Sequence, residues 1–229
     1  MKGLFITGTD TGVGKTVITA SLCRSLRQRG IDAVAIKPFA TGITPEAGWR
    51  DNDPLLLSAA MDYAEPAEVI APVRLTAPLS PYDAARITGA IFDLDAVIAA
   101  IEHIAARHEI VLVEGVGGVN VPITDSVMLS GFISQLQLAA LVVARSRIGT
   151  VNHSLLSVNA LRQAGVYVEG LIFSRSTTGD LALDERIRPE TACRFAKTAC
   201  FGCVNKSHAL EIAQTLDEAV QGLPLDDPT

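Results

Sequence analysis

The stretch GLFITGTDTGVGKT, residues 3–16, decides the fold of this 229-residue chain. Its first five residues are a short apolar run typical of a buried strand, and a glycine-rich segment then ends in Gly14-Lys15-Thr16. Residues 16–29 predict a helix, because apolar residues recur at positions 18, 22 and 26 and a glycine follows. Glycines let backbone N–H groups and a helix N-terminus surround an anion, so this arrangement predicts a phosphate-binding loop.

The loop is a variant of the strict pattern G-x-x-x-x-G-K-[ST], because five residues separate Gly8 from Gly14 and Thr9 stands where glycine would be expected. An ordinary glycine-rich turn is the alternative. The Gly-Lys-Thr falls at the strand-to-helix boundary, so we favour phosphate binding, with Lys15 reaching the β- and γ-phosphates and Thr16 ligating magnesium. The nucleotide-binding residues predicted from the loop are Thr9, Asp10, Thr11, Gly12, Val13, Gly14, Lys15 and Thr16.

The rest of the chain alternates short apolar runs with segments of helical period. This alternation predicts an α/β fold, a mostly parallel β-sheet flanked by helices, and strands that are apolar on both faces fit its centre. We expect one domain of P-loop NTPase architecture over residues 1–229. The further predicted strands are 33–37, 110–114, 140–144 and 168–173; the predicted helices begin after Asp93 or span 151–164, 189–197 and 210–220; and the predicted loops are 41–50 and 174–184.

Composition excludes several classes of partner. The net charge is −6 and no run of Lys or Arg occurs, so the field of the protein repels nucleic-acid backbones and anionic lipid headgroups. We therefore expect neither nucleic acid nor a membrane as a partner. No stretch approaches the roughly 18 apolar residues of a membrane span, and the N-terminus lacks the pattern of a secretory signal. A cytoplasmic location is expected, where the four cysteines stay reduced.

Three charged residues are candidates for the same edge of the sheet. Glu114 ends an apolar strand, so its carboxylate is expected beside the phosphate loop as a magnesium ligand; a solvated glutamate is the alternative. Asp53 is a second candidate ligand, although an aspartate before proline is also a common helix cap. Lys37 ends a strand at this edge and predicts a second cation for phosphate, unless it extends from the sheet rim into solvent.

Four motifs, in their order and spacing, resemble the dethiobiotin synthetases over roughly residues 1–170. The motifs are Gly8-Thr9-Asp10-Thr11-x-Val13-Gly14-Lys15-Thr16, Lys37-Pro38 followed by Thr41-Gly42, Glu114-Gly115-x-Gly117-Gly118 with Pro122, and Gly149-Thr150-Val151-Asn152-His153. The resemblance implies an ATP-dependent ligase of biotin biosynthesis. Such an enzyme closes the cyclic urea of dethiobiotin from 7,8-diaminononanoate and CO2.

The resemblance also implies roles for individual residues and a homodimer whose substrate site lies at the subunit interface. Lys15, Lys37 and Thr11 are then catalytic, and Thr16, Asp53 and Glu114 hold Mg²⁺. The implied substrate-binding residues are Thr41, Gly118, Thr150, Val151 and Asn152, the last three at a helix start contributed across the interface. The implied nucleotide contacts outside the loop are Glu114, Gly117, Ser174, Val204 and Asn205.

The last third of the chain departs from the family pattern. Ser174-Arg175 stands where the family has an asparagine that recognises adenine, and Val204-Asn205 replaces a family pair that ends in proline. These departures leave the base specificity open. Cys193, Cys200, Cys203 and His208 could assemble a zinc site, but their irregular spacing favours the alternative, in which the cysteines are small buried residues of a strand.

A second functional class shares the expected fold: the chromosome-partition and division-site ATPases, which act as nucleotide-dependent switches. Those proteins carry an additional lysine early in the phosphate loop, where this chain has Asp10 and Thr11. An amide-forming relative acting on another diamine or carboxylate is a further alternative. A switch hydrolyses ATP without the diamine, whereas the ligase requires it.

Overall fold

The computed structural model describes residues 1–43, 52–175 and 189–205. Its centre is a six-stranded parallel sheet with the strand order β2-β5-β1-β6-β7-β8. The strands of this sheet are β1 (Gly3–Gly8), β2 (Ala33–Ile36), β5 (Ile110–Glu114), β6 (Ala139–Arg145), β7 (Val168–Arg175) and β8 (Ala199–Asn205). Two short strands, β3 (Phe39–Thr41) and β4 (Val73–Leu75), pair with each other in a separate parallel ribbon.

Helices connect the strands, as the alternating pattern predicts. They are α1 (Lys15–Gln28), α2 (Asp53–Ala60), α3 (Ala67–Ile70), α4 (Pro81–Thr88), α5 (Leu94–Ala105), α6 (Leu129–Leu136), α7 (Thr150–Gln163) and α8 (Pro189–Ala196). Helix α1 ends before Gly30, whose φ of 82° lies in the left-handed region. The carboxylate of Asp93 caps α5 by accepting a hydrogen bond from the backbone N–H of Asp95 at 3.1 Å. Both predicted helix boundaries are confirmed.

The sheet is buried because helices cover it. All five residues of β5 and the stretch 4–8 of β1 are buried, which explains why these strands are apolar on both faces. The ring of Phe132 on α6 contacts Phe5 and Phe39, with ring centroids 6.3 and 5.3 Å apart. These edge-to-face contacts join β1 and β3 through one helix.

The strand order brings reactive residues that are distant in sequence to one edge of the sheet. Strand β1 lies between β5 and β6, with Ile6 opposite Glu114 and Gly8 opposite Val143. Because the strands are parallel, their carboxyl ends meet where the phosphate loop leaves β1. Lys37 follows β2, two strands away from β1. The topology therefore collects Lys37, Glu114 and the loop at one edge.

Some expectations need correction. Strand β7 continues through Ser174 and Arg175, so the predicted loop does not begin at Ser174; the rest of it lies outside the described residues. Thr41 likewise belongs to β3 instead of a loop, and most of the predicted loop 41–50 and the helix 210–220 also lie outside. The prediction of one domain over residues 1–229 stays a prediction.

The cysteine alternatives are resolved in part. Cys200 is exposed and Cys203 half-buried, so the prediction that these strand cysteines are buried is wrong; Cys193 is buried. Within the described ranges no group of three or more His, Cys, Asp or Glu side chains is arranged to hold a metal ion, and His208 lies beyond them. Among the helices that the structure describes, none has the length and apolar character to cross a bilayer.

Two glycine-to-alanine substitutions should have opposite effects on stability. A Cβ at Gly170 of β7 would lie 2.4 Å from the Phe201 ring and 2.8 Å from the Ala199 carbonyl oxygen. We expect Gly170→Ala to lower the free energy of unfolding by about 1–3 kcal/mol through overpacking. A Cβ at Gly131 in α6 would lie 3.8 Å from the nearest atom, which belongs to the Val127 side chain. We therefore expect Gly131→Ala to raise the free energy of unfolding by up to about 1 kcal/mol. Urea denaturation measures the free energy of unfolding of both variants. Equal changes in the two would contradict the packing of β7 against β8.

Candidate active site

The phosphate loop connects β1 to α1 through two glycines in the left-handed region. Gly12 has a φ of 69° and Gly14 a φ of 103°, a conformation that glycine adopts without steric cost. Gly14 is also the N-cap of α1, and no side chain caps this helix end. The first-turn N–H groups and the positive end of the helix dipole therefore face the loop, as anion binding requires.

Lys15 lies buried beneath the loop. Its ammonium group donates hydrogen bonds to the carbonyl oxygens of Asp10 at 3.0 Å and of Gly117 at 2.7 Å. Burial lowers the pKa of Lys15 to about 8, and Glu114 opposes this shift. Within the described residues, the hydrogen-bond partners of Lys15 are thus neutral oxygens, and an anion would give it a stronger partner.

Glu114 and Lys37 form a buried ion pair beside the loop. One oxygen of Glu114, Oε1, accepts from Thr16 Oγ1 and from Lys37 Nζ, each at 2.7 Å. Lys37 also forms a short ion pair with Asp53. Burial alone would lower the pKa of Lys37, but the two carboxylates outweigh it and the net shift is upward. Lys37 therefore keeps its positive charge.

The alternatives for these three residues are wrong. Glu114 is 1% exposed, so it is not a solvated glutamate at a strand end. Lys37 is buried and does not extend into solvent. Asp53 is the first residue of α2, and its neighbour Asn52 is the cap, since the Asn52 side chain accepts from the N–H of Leu55 at 3.3 Å. The Asp53 carboxylate is therefore available to pair with Lys37.

The donor set fits a magnesium ion. The second carboxylate oxygen of Glu114, Oε2, is buried and has no hydrogen-bond partner in the part of the chain that the structure describes. The Thr16 hydroxyl bonds to Glu114 directly, and the Asp53 carboxylate is connected to Glu114 through Lys37, which pairs with both carboxylates. Hydroxyl and carboxylate oxygens are the ligands that Mg²⁺ prefers.

A cleft of about 360 Å³, within the usual size range of ligand sites, opens over these groups. It brings together many of the predicted residues: Thr11, Gly12, Gly14, Lys15, Thr16, Lys37, Thr41, Asp53, Glu114 and Gly117. Sequence reasoning missed its apolar lining by Val17, Leu56 and Val116. Only Val116, inside a motif, could have been found from the sequence.

Other predicted residues do not line this cleft. Gly118 packs behind the loop, where a Cβ would lie 3.3 Å from the Thr9 carbonyl oxygen. Val13 and Val204 are buried, and Asn205 ends β8. Two loop residues remain: the Thr9 N–H donates to the carbonyl oxygen of Val143 at 2.9 Å, and the Asp10 side chain accepts from the N–H of Thr11 at 2.7 Å.

The predicted substrate residues of α7 lie apart from the cleft of their own chain. Thr150, Val151 and Asn152 form the first turn of this helix, after the N-cap Gly149. None of the three is among the residues that line the cleft, within the ranges that the structure describes. The Thr150 hydroxyl is buried, whereas Asn152 is exposed. The described chain therefore does not by itself place this helix start in the lining of the cleft.

Two residues contact the loop from the β6 and β7 side. Ser174 is buried, and its hydroxyl donates a short hydrogen bond to the carbonyl oxygen of Val13. Arg145, at the end of β6, donates to the carbonyl oxygen of Thr11 at 3.2 Å. Sequence reasoning missed Arg145, although a cation directly after the predicted strand 140–144 was a signal for it.

Nucleotide binding should change with pH through Lys15. An anion favours the charged form, so ADP binding near pH 8 should take up about half a proton at this lysine, and affinity should fall as the pH rises through about 8. Calorimetric titrations between pH 7 and 9, in buffers of different ionisation enthalpy, measure this uptake. It should vanish in Lys15→Met; an uptake that persists there would assign the proton to another group.

Comparison with known proteins adds sequence relatives. A family model described as an AAA domain matches residues 2–214. The chain is 44% identical over 180 residues to the ATP-dependent dethiobiotin synthetase BioD of Anaeromyxobacter sp. (strain Fw109-5), covering 79% of each chain. It is 35% identical over 206 residues to the enzyme of that name from Bacillus licheniformis, covering 90% of this chain and 86% of the relative.

Solved structures give the same architecture. A chain of the MinC:MinD cell division protein complex of Aquifex aeolicus superposes with a TM-score of 0.58 over 98% of this chain and 88% of that one, at 14% identity. At this identity the likeness shows the fold alone, and it confirms the predicted α/β fold with a mostly parallel sheet flanked by helices. The sequence relatives are much closer, and by their identity and coverage the chain belongs to the ATP-dependent dethiobiotin synthetases.

Proposed function

We propose that the chain closes the cyclic urea of dethiobiotin from 7,8-diaminononanoate and CO2, with ATP as co-substrate and ADP and phosphate as co-products. The observation that carries this proposal is the meeting of Lys15, Lys37 and Glu114 in one cleft that begins at a phosphate loop. A ligase of this kind handles two anions, a carbamate and a triphosphate. Two buried lysines in one cleft suit that task.

The reaction proceeds in three steps. One amine of the substrate adds to CO2, losing a proton and forming a carbamate. A carbamate oxygen then attacks the γ-phosphorus as the bond to ADP breaks, which gives a carbamic-phosphoric anhydride. The second amine attacks the carbonyl carbon of this anhydride, and the ring closes as phosphate leaves and the amine loses a proton. Catalysis of phosphoryl transfer is mostly positioning and charge stabilisation.

The two lysines have different tasks in these steps. Lys15 exchanges the carbonyl oxygens of Asp10 and Gly117 for phosphate oxygens, because the anion is the stronger partner. Lys37, whose pKa is raised by its two carboxylate neighbours, remains an ammonium group and does not act as a base. Asp53 and Glu114 hold two of its three N–H groups, and the third donates to the carbamate oxygen that attacks the γ-phosphorus. Thr11 and Thr41, which also line the cleft, orient the substrate.

Thr16, Asp53 and Glu114 are the proposed magnesium ligands. The buried, unpartnered Oε2 atom of Glu114 supports this assignment within the described part of the chain. When bound, the ion offsets the negative charge of the triphosphate. The carboxylate of Glu114 links this position to Lys37, so the metal ligands and the carbamate-binding lysine are fixed relative to each other.

A homodimer is part of the proposal. The start of α7, at Thr150 to Asn152, would bind the substrate carboxylate through its N–H groups in the active site of the partner subunit. Two apolar residues near this helix start are exposed: Ile148, in the turn before the N-cap Gly149, by 68%, and Leu156, four residues after Asn152 in the helix, by 61%. Exposed apolar side chains of this size support contact with a second copy.

A cytoplasmic location completes the proposal. The four cysteines carry free thiols in the described chain, which fits a reducing compartment.

An omission assay tests the proposed function. The complete mixture contains the protein, 7,8-diaminononanoate, bicarbonate, Mg²⁺ and ATP, and each component is left out in turn. We expect dethiobiotin and phosphate only in the complete mixture. Phosphate release without the diamine, and no cyclic urea in its presence, would instead support the switch-like ATPases that share this fold.

Removal of the Lys37 charge should lower turnover strongly, and this loss can be separated from the effect of the same change on stability. Lys37→Met leaves Glu114 buried without its ion-pair partner, so we expect a cost of about 3–5 kcal/mol in unfolding free energy. The double variant Lys37→Met/Glu114→Gln removes both buried charges and should regain much of that stability. Turnover should stay at least about a hundredfold below the unaltered enzyme in both. Lys2→Met, at an exposed lysine, is the control; recovered turnover in the double variant would exclude catalysis by Lys37.

Loss of the Asp53 carboxylate should chiefly raise the magnesium requirement. Asp53→Asn keeps the side-chain size and the first turn of α2 but removes one anionic oxygen ligand. We expect half-maximal activity at about tenfold higher Mg²⁺, corresponding to roughly 1.4 kcal/mol. Asp95→Asn, in the first turn of α5, is the matched control. If the magnesium dependence is unchanged, Asp53 serves only to pair with Lys37.

A further inference from the structure

The β6 and β7 strands hold the phosphate loop on the side away from the carboxylates. The hydroxyl of Ser174 donates to the carbonyl oxygen of Val13, and the guanidinium of Arg145 donates to that of Thr11. The backbones of Arg145 and Ser174 are paired in the sheet, and the Ser174 carbonyl accepts from the N–H of Ser146 at 2.9 Å. Both donors therefore stand on a fixed support.

Because a peptide unit is planar, these two contacts also set the directions of N–H groups in the loop. The described chain has no cis peptide bond, and in a trans peptide the carbonyl and the following N–H point in opposite directions. A Val13 carbonyl held toward Ser174 therefore directs the Gly14 N–H away from β7. Gly14 lines the cleft, whereas Ser174 is not among the lining residues that the structure describes. The same relation links the Thr11 carbonyl to the orientation of the Gly12 peptide.

The loop needs such external support because its own backbone is permissive. Gly12 and Gly14 both adopt positive φ, and glycine can leave this region as easily as it enters it. A Cβ at Gly12 would lie 2.8 Å from the Arg145 guanidinium, so this side chain packs directly against the loop. The hydrogen bonds to the carbonyls of Thr11 and Val13 restrict rotation of the peptide units that precede the two glycines.

We propose that Ser174 is a positioning residue of the phosphate loop and not a base-recognition residue, and that Arg145 supports the loop in the same way. Ser174 has a single hydroxyl hydrogen, and that hydrogen is committed to Val13. Its side chain is 4% exposed. The inference rests on the proposed function only in that the loop binds the triphosphate. It predicts that Ser174 contributes equally to every ligand that carries the same phosphates.

Inorganic tripolyphosphate separates the two roles, because it has phosphates and no base. We expect Ser174→Ala to weaken the binding of magnesium tripolyphosphate, ATP, GTP and CTP by the same factor, about tenfold at most for one lost hydrogen bond. Isothermal titration calorimetry measures the four affinities without the diamine. In turnover assays the KM for ATP should rise while kcat changes little, as expected when a contact is equal in ground and transition states. Ser174→Thr keeps the hydroxyl and should restore affinity.

Ser58→Ala is the matched control. Ser58 is also buried, and its hydroxyl also donates to a backbone carbonyl, that of Glu65 at 2.7 Å, whereas none of its hydrogen bonds in the described chain joins it to the loop. This variant should lose a comparable amount of thermal stability and keep all four affinities. Arg145→Met tests the second support and should weaken the four ligands by a common factor.

Two results would overturn the inference. A loss in Ser174→Ala that is confined to ATP, with tripolyphosphate binding unchanged, would assign Ser174 to the base. Unchanged affinity for all four ligands would show that the Val13 carbonyl needs no support. Neither result depends on ring closure, so failure of the proposed reaction in the omission assay remains distinguishable from failure of this inference.

Discussion

The buried carboxylate of Glu114 is the constraint on which the site depends. A charge at the end of a fully buried strand is costly unless it is paired and hydrogen-bonded, and Glu114 obtains both from Lys37 and Thr16. These contacts tie the end of β5 to α1 and to the residue after β2, and Asp53 adds the start of α2. Four segments that are distant in sequence are thus positioned by one charge.

The phosphate loop lies between this charged cluster and a second set of hydrogen bonds on the other side. On the β5 side Thr16 at the end of the loop bonds to Glu114, whereas on the β6 and β7 side the loop carbonyls accept from Arg145 and Ser174. The arrangement follows from strand order, because β1 has β5 and β6 as its neighbours. A glycine-rich loop has little rigidity of its own, so its shape depends on both sets of contacts.

Features with a short-range sequence pattern could be predicted, whereas features that depend on contacts between distant residues could not. The strands, the Asp93 cap and the loop have short-range patterns, and the structure confirms them. The choice of Asn52 over Asp53 as the cap of α2 is not local, because Asp53 is drawn to Lys37 by charge. The burial of Ser174 against the loop was likewise not a local feature, because its hydroxyl bonds to Val13, 161 residues away along the chain.

The two lysines of the cleft differ because their partners differ. Both are buried, yet the pKa of Lys15 falls to about 8 while that of Lys37 rises. Lys15 has carbonyl oxygens as its hydrogen-bond partners, whereas Lys37 bonds to carboxylates. Near pH 8 and above, the charge of Lys15 should therefore depend on whether an anion is bound, whereas Lys37 is charged in either case. In that pH range we expect such a site to couple proton uptake to nucleotide binding, with Lys37 as a cation that is already present for the second anion of the proposed reaction.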